Sequence, residues 1–125
     1  MDHLPKQTKV VIIGGGVIGC SVAYHLSKLG WQDIVLLERK QLTSGTTWHA
    51  AGLVGQLRAT LNMTKLAMYS TELYNNLESE TGIATGYKRN GSLSLALTEE
   101  RFEELRRGGS MARNFGLETE ILSNN

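Results

Sequence analysis

VVIIGGGVIG, at residues 10–19, is the stretch of sequence from which the fold can be predicted. Val10–Ile13 is short, apolar and β-branched, which is typical of a strand buried on both faces of a parallel sheet. A helix is predicted for Cys20–Leu29, with Gly30 directly after its end. Ile34–Glu38 is a second apolar strand, and its last residue is an acid. These segments together predict a βαβ unit.

Three glycines of this stretch, Gly14, Gly16 and Gly19, have the spacing G-x-G-x-x-G. In nucleotide-binding βαβ units the first glycine permits the tight turn, the second lets the backbone approach a pyrophosphate, and the third lets the helix pack on the sheet. Glu38 follows about 20 residues later, where a carboxylate can accept hydrogen bonds from ribose hydroxyls. An acid there also disfavours the 2′-phosphate of NADP. The pattern therefore predicts a site for an ADP moiety, and by itself it does not separate FAD from NAD.

The rest of the chain departs from a repeating βα pattern. Further elements are predicted in this order: a loop leading into a short turn or helix at Leu42–Gly55, a helix at Asn62–Thr81 ended by Gly82, a half-buried strand at Gly91–Leu97, a helix from an N-cap at Thr98 to about Phe115, and the start of another strand at Leu117–Leu122. A doubly wound fold needs more than two parallel strands. We therefore expect this chain to be the N-terminal part of a longer protein.

Composition excludes several classes of function. The 13 basic and 12 acidic residues are interspersed and give a net charge of +1, so nucleic acid is not an expected partner. A single cysteine, Cys20, forms neither an intrachain disulfide nor a thiolate metal site, and no metal is expected. No apolar run approaches the ~20 residues of a membrane span. The first residues resemble neither a secretory signal nor a transit peptide. These features predict a cytoplasmic protein, with the mitochondrial matrix as the alternative if a transit peptide precedes the chain.

The segment TSGTTWHAAGL at Thr43–Leu53 closely resembles a segment of the sarcosine and dimethylglycine dehydrogenases, which are D-amino-acid-oxidase-like flavoproteins. Glu78–Gly82 and Asn90–Leu93 are also similar to that family. The resemblance extends from Val10 to about Ser123. It implies FAD as the cofactor and an α/β fold: a Rossmann-like FAD-binding βαβ start at residues 1–82, and the incomplete beginning of a mixed α+β substrate domain at residues 83–125.

In that family the histidine matched by His49 carries FAD covalently, through the 8α-methyl carbon of the flavin. An imidazole suits this role because it is largely neutral near about pH 7 and can act as a nucleophile without a strong base. The cofactor-binding residues predicted from the loop and the resemblance are Gly14, Gly16, Val17, Ile18, Gly19, Glu38, Arg39, Gly45, Thr46, Thr47, Trp48, His49, Ala50, Ala51, Gly52 and Leu53. The sequence identifies no catalytic base and no clamp for a substrate carboxylate.

The resemblance also implies an activity, the oxidation of a small N-methyl amine such as sarcosine or dimethylglycine. Hydride would leave the N-methyl carbon for flavin N5, and the iminium product would be hydrolysed or passed to tetrahydrofolate. In the family tetrahydrofolate binds a C-terminal module outside these residues. The electron acceptor and the oligomeric state are not predicted.

Two other classes stay open. A regulatory subunit of pyruvate dehydrogenase phosphatase resembles the same enzymes over this region without catalysing the reaction. It departs from the Trp-His pattern, so Trp48 and His49 argue against that alternative. A nicotinamide-dependent dehydrogenase should continue with further βα units soon after Glu38, and this chain does not.

Overall fold

The computed structural model describes residues 5–122. Its elements are strand β1 (Val10–Ile13), helix α1 (Val17–Lys28), strand β2 (Ile34–Leu37), a 3₁₀ helix (Thr46–His49), helix α2 (Leu61–Thr81) and helix α3 (Glu99–Asn114). The chain divides into two compact units between Leu53 and Val54. The domain boundary suggested by the family resemblance, between residues 82 and 83, stays a prediction.

The βαβ unit is confirmed. Strands β1 and β2 pair in parallel, with Val10 opposite Ile34 and Ile13 opposite Leu37. Parallel strands need a crossover connection, which helix α1 supplies while packing against both strands. Only one face of β1 is covered: Val11 and Ile13 are 52% and 86% exposed. The prediction of a strand buried on both faces is therefore wrong for the residues that the structure describes, because α1 is the one element packed on this sheet.

Helix α1 begins earlier than predicted, at Val17 instead of Cys20, because the extended backbone of Gly16 lets the helix start directly after it. Its end agrees with the prediction. Gly30 has a left-handed φ of 86°, which a glycine adopts without a steric penalty. The Gly30 N–H donates to the Ser27 carbonyl and the Trp31 N–H to the Leu26 carbonyl, both at 3.0 Å. These two bonds form a Schellman motif, which stops the helix before β2.

The two helices of the second unit begin at threonine caps. Thr60 Oγ1 accepts from the Met63 N–H at 3.4 Å, and Thr98 Oγ1 accepts from the Arg101 N–H at 3.3 Å. The cap predicted at Thr98 is confirmed, and so is the end of α2 at Gly82, whose φ is 72°. Within residues 5–122 no helix is both long and apolar enough to cross a lipid bilayer.

Two predicted strands are wrong. Residues 91–97 and 117–122 have no strand structure, although Gly91–Leu97 alternates polar and apolar residues. Leu93, Leu95 and Leu97 are exposed by 72%, 74% and 93%. A strand exists only through hydrogen bonds to a neighbour, and no other described segment pairs with either stretch. Alternation in sequence specifies which side chains share a face; it does not supply the partner.

The second unit buries polar side chains that the sequence did not indicate. Thr64 and Thr71 lie two turns apart on α2 and are 0% and 2% exposed. Gln56 Nε2 donates to Thr71 Oγ1 at 2.7 Å, and the Arg58 N–H donates to Thr64 Oγ1 at 3.0 Å. Both hydroxyls also donate to backbone carbonyls, so their burial leaves no polar atom unpaired. These bonds fasten residues 56–58 along α2.

Candidate functional site

The glycine loop joins the end of β1 to the start of α1. Gly14 has a φ of 105°, in the left-handed region, and its N–H donates to the Leu37 carbonyl at 2.8 Å. A Cβ on Gly19 would overlap the Gly14 carbonyl oxygen and lie 3.4 Å from Ile12 Cγ2. The roles predicted for the turn glycine and the packing glycine are thus matched by the geometry. The first turn of α1, with its positive dipole end and N–H groups that have no partner within the helix, directly follows the loop.

Glu38 lies directly after β2 and turns its carboxylate towards the glycine loop. Its Oε2 accepts from the Gly15 N–H at 2.8 Å, and its Oε1 accepts from the Lys40 N–H at 2.9 Å. The Gly15 N–H is the largest cause that lowers the pKa of Glu38, followed by the Lys40 N–H, because both stabilise the charged form. A carboxylate has about four acceptor positions, so these backbone N–H groups leave room for ribose hydroxyls. The predicted role is compatible with this geometry and is still a prediction.

Gly15 is the residue of this site that the sequence interpretation missed. It occupies an unspecified position of the G-x-G-x-x-G pattern, yet it is buried. A Cβ there would overlap Leu42 Cδ2 and lie 3.1 Å from Glu38 Cβ. Its carbonyl also accepts from the Thr43 N–H at 2.8 Å. The signal available in the sequence was its place as the middle one of three consecutive glycines.

The hydrogen bonds of Glu38 predict a pH dependence. Because its pKa is lowered from 4.5, the carboxylate stabilises the folded state above that pH, and this contribution is lost as the pH falls through the lowered pKa. Glu38→Gln, which has one acceptor oxygen for two N–H donors, should lower the thermal unfolding midpoint of the full-length apo-protein at about pH 7. The gap to wild type should close on acidification below 4.5.

Glu120→Gln is the control, because this exposed side chain makes no hydrogen bond or ion pair within residues 5–122. A gap between wild type and Glu38→Gln that stays constant from neutral to acid pH would contradict the assignment. Midpoints from circular dichroism over this pH range provide the measurement.

The segment after Glu38 returns to the glycine loop. Thr43 has a φ of 65°, which is unusual for a β-branched residue, and its N–H reaches Gly15 as described. Four residues further on, Thr47 Oγ1 accepts from the Val17 N–H at 2.9 Å. This oxygen would also lie 3.1 Å from a Cβ on Gly16. The glycine loop and the segment around Thr47 are thus in direct contact.

Thr46–His49 forms the 3₁₀ helix. The Trp48 N–H donates to the Gly45 carbonyl and the Ala50 N–H donates to the Thr47 carbonyl, each at 3.2 Å. Trp48 is 78% exposed, so it is not a core residue of the first unit as far as the structure describes it. His49 is exposed as well. The 3₁₀ helix that carries His49 contacts the start of α1 through Thr47, and its exposed imidazole is accessible to a ligand.

The remaining predicted residues are exposed to solvent. They are Ile18, Arg39, Ala50, Ala51, Gly52 and Leu53, and Val17 is also exposed although its N–H donates to Thr47 Oγ1. Arg39 nevertheless contributes to the lowered pKa of Glu38 through its backbone N–H and its charge, both as smaller causes. Within the described residues no group of three or more His, Cys, Asp or Glu side chains is arranged to hold a metal ion.

Comparisons with known proteins give the family and the fold. The model of the family described as "FAD dependent oxidoreductase" matches residues 9–125. The solved structure of the L-amino acid deaminase from Proteus vulgaris resembles 99% of this chain and 28% of that one, with a TM-score of 0.82 at 22% identity. At that identity the likeness shows the fold alone.

Three curated relatives are similar over nearly the whole chain. "Pyruvate dehydrogenase phosphatase regulatory subunit, mitochondrial" of Mus musculus is 52% identical and matches 96% of this chain. "4-methylaminobutanoate oxidase (formaldehyde-forming)" of Paenarthrobacter nicotinovorans is 48% identical over 98% of it. "Sarcosine dehydrogenase, mitochondrial" of Homo sapiens is 46% identical over 96% of it. The chain spans 14%, 15% and 13% of the length of these relatives.

Proposed function

Because this chain belongs to the FAD dependent oxidoreductase family, we propose that it is the nucleotide-binding start of a flavoenzyme that oxidises N-methyl amines. The family assignment favours FAD over the nicotinamide alternative. The observation that carries the proposal is the hydrogen bond from the Val17 N–H to Thr47 Oγ1. It brings the Thr-Trp-His segment to the start of α1, where a helix N-terminus attracts phosphate.

The residues present fit the ADP part of FAD. The loop at Gly14–Gly19 has glycines where a Cβ would meet backbone or Thr47, and the helix dipole of α1 favours the negative charge of a pyrophosphate. The open acceptor positions of Glu38 suit the hydroxyls of a ribose. These residues bind and orient the nucleotide, and they perform no bond-making step.

We propose that His49 binds the flavin covalently. The nearby residues Gly45, Ala50, Ala51 and Gly52 are small, which would let the backbone lie close to a ring. A ring nitrogen of His49 would hold the flavin through its 8α carbon, with one hydrogen lost from each of the two atoms. Dioxygen would accept the two electrons and two protons released and leave as hydrogen peroxide. The exposed 3₁₀ helix leaves this imidazole accessible for the reaction.

The substrate proposed is a small secondary or tertiary N-methyl amine, of which sarcosine and dimethylglycine are the first candidates. Relatives named for the oxidation of 4-methylaminobutanoate and sarcosine support this class. When bound, FAD accepts a hydride from the N-methyl carbon. The resulting iminium is hydrolysed, or transferred to tetrahydrofolate if the protein carries the family's C-terminal module. The chain's own task is to fix the flavin so that a substrate methyl group can reach it.

A regulatory protein is the second candidate, because a pyruvate dehydrogenase phosphatase regulatory subunit is 52% identical to this chain. A regulatory protein of this kind would keep the fold without catalysing the oxidation of an amine. Trp48 and His49 favour the enzyme, since a purely regulatory role requires no accessible imidazole in this segment.

The compartment is also part of the proposal. We retain the cytoplasm as the predicted location and the mitochondrial matrix as its alternative. The word "mitochondrial" in the names of two relatives supports the matrix. Fractionation of cells that produce the full-length protein decides between the two locations.

Anaerobic mixing with amines tests the proposed function. The purified full-length protein should be yellow, and sarcosine, dimethylglycine or 4-methylaminobutanoate should bleach its oxidised-flavin absorption. Glycine, which lacks the N-methyl group, is the matched control and should leave the spectrum unchanged. A yellow protein that no N-methyl amine reduces would contradict the substrate class, and a colourless protein would favour the regulatory alternative.

A further inference from the structure

Thr47 connects the Thr-Trp-His segment to the glycine loop, and we propose that it is a positioning residue that aligns His49 with the bound flavin. The inference rests on the proposed covalent attachment of FAD, and it adds a residue that governs that attachment without taking part in it.

Helix α1 lacks a cap from its own N-cap residue. Helices α2 and α3 are capped by the hydroxyls of Thr60 and Thr98. The N-cap residue of α1 is Gly16, which has no side chain to offer. Thr47, which lies 30 residues after Val17, supplies the missing acceptor to the Val17 N–H. A threonine at position 16 would put its side chain where a pyrophosphate has to approach. A cap from elsewhere in the chain pairs the N–H group and also leaves this space open.

The segment that carries His49 is held at two points. The Thr43 N–H is bound to the Gly15 carbonyl, and the Thr47 hydroxyl to the Val17 N–H. Between and beyond them, short-range backbone bonds at Gly45 and Thr47 form the 3₁₀ turn. His49 lies two residues after Thr47 in this turn, so a shift of Thr47 is passed on to the imidazole. The hydrogen bond from Val17 to Thr47 is thus suited to set the distance between His49 and a ligand on the loop.

Different groups therefore bind the nucleotide and align His49 with the flavin. The glycine loop and the dipole of α1 are unchanged in Thr47→Val, so the nucleotide should still bind. Bond formation at the flavin requires His49 in a near-attack position, and a displacement of about 1 Å can cost about a hundredfold in rate. We expect Thr47→Val to slow covalent attachment by about ten- to a hundredfold at saturating FAD.

Two further variants make the comparison specific. Thr47→Ser keeps the hydroxyl and should attach flavin close to the wild-type rate. Thr8→Val is the matched control, because the Thr8 hydroxyl joins the same unit at its other end. It donates to the Asp33 carbonyl at 3.0 Å and to Asp33 Oδ1 at 2.9 Å. Thr8→Val removes a hydroxyl that also bridges distant residues, and it leaves the loop alone.

The experiment uses full-length apo-protein produced under riboflavin limitation. FAD is added at several concentrations, and acid-stable flavin is measured over time, which separates the saturating rate from the concentration that half-saturates it. Amide hydrogen exchange of the same apo-proteins reports the Val17 N–H. Thr47→Val should lose protection at Val17 and attach flavin slowly, whereas Thr47→Ser and Thr8→Val should do neither.

Each other result overturns the inference in a recognisable way. Unchanged Val17 protection in Thr47→Val means that the cap is not formed. A normal saturating rate with a raised half-saturating concentration makes Thr47 a binding contact and not a positioning residue. Equal slowing in Thr8→Val reveals general destabilisation. Wild-type protein without acid-stable flavin refutes the covalent attachment on which this inference rests, whereas flavin binding itself is read separately from the colour of the native protein.

Discussion

Acid precipitation of the His49→Ala protein should give a colourless pellet, whereas the wild-type pellet should stay yellow. The reason is that His49 is the proposed point of covalent attachment, on the exposed 3₁₀ helix next to the glycine loop. Because Gly14–Gly19 and Glu38 are unchanged, the variant should still bind FAD reversibly in its native state. Mass spectrometry of a wild-type peptide containing His49 should show the added mass of FAD.

His25→Ala is the control for this prediction. His25 lies on α1 in the same unit, and its Nδ1 lies 2.7 Å from the Ser21 carbonyl oxygen. Loss of this imidazole should leave the acid-stable flavin in place. If wild-type flavin dissolves completely in acid, the covalent bond is wrong, although a flavoenzyme that holds FAD reversibly would be compatible with that result. If His49→Ala retains acid-stable flavin, another residue carries the bond.

The second large effect is expected from Gly16→Val, which should abolish flavin retention. Gly16 is extended, with φ −79° and ψ −177°, so valine brings no backbone penalty of the left-handed kind. The effect is steric. A Cβ at this position lies 3.1 Å from Thr47 Oγ1, and the valine methyl groups would extend into the space that a pyrophosphate requires. Overpacking of this kind costs about 1–3 kcal/mol, and each ~1.4 kcal/mol corresponds to a tenfold loss of affinity.

Affinity is best measured in the His49→Ala background, where FAD binds reversibly. There the dissociation constant of Gly16→Val should rise by about 5- to 140-fold from the steric term alone, and further if the Val17–Thr47 bond is lost. Gly108→Val is the control. Gly108 lies inside α3, and a Cβ there meets no atom within 4 Å. Normal flavin content in Gly16→Val would show that the glycine loop does not bind the pyrophosphate of FAD.

How much of this site the sequence indicated depends on the distance over which each feature acts. The βαβ unit was predictable because its signals are local: an apolar β-branched run, glycines at fixed spacing, and an acid at the end of the second strand. The helix ends at Gly30 and Gly82 and the cap at Thr98 were predictable for the same reason. Each depends on backbone preferences within one turn, which a single residue type can reveal.

The features that the sequence did not predict correctly were those that depend on contacts with a distant segment of the chain. Gly91–Leu97 has the alternation of a strand, but a strand forms only against a neighbour, and none of residues 5–122 pairs with it. The burial of Thr64 and Thr71 also depends on a separate segment, since Gln56 and Arg58 supply their hydrogen bonds. Periodicity identifies a face without saying what covers it.

The sequence by itself thus determined the nucleotide-binding unit and, through the Thr-Trp-His segment, the family resemblance and the candidate histidine. Only the tertiary structure decided how the pieces of the site meet. It showed the carboxylate of Glu38 on the N–H of the buried Gly15, and the hydroxyl of Thr47 on the first turn of α1. Both bonds join residues more than 20 positions apart, whose proximity follows from the parallel pairing of β1 with β2 and the return of the chain to the glycine loop. A local sequence pattern does not predict such contacts, because they form only when the crossover helix has brought the two strand ends to the same edge of the sheet.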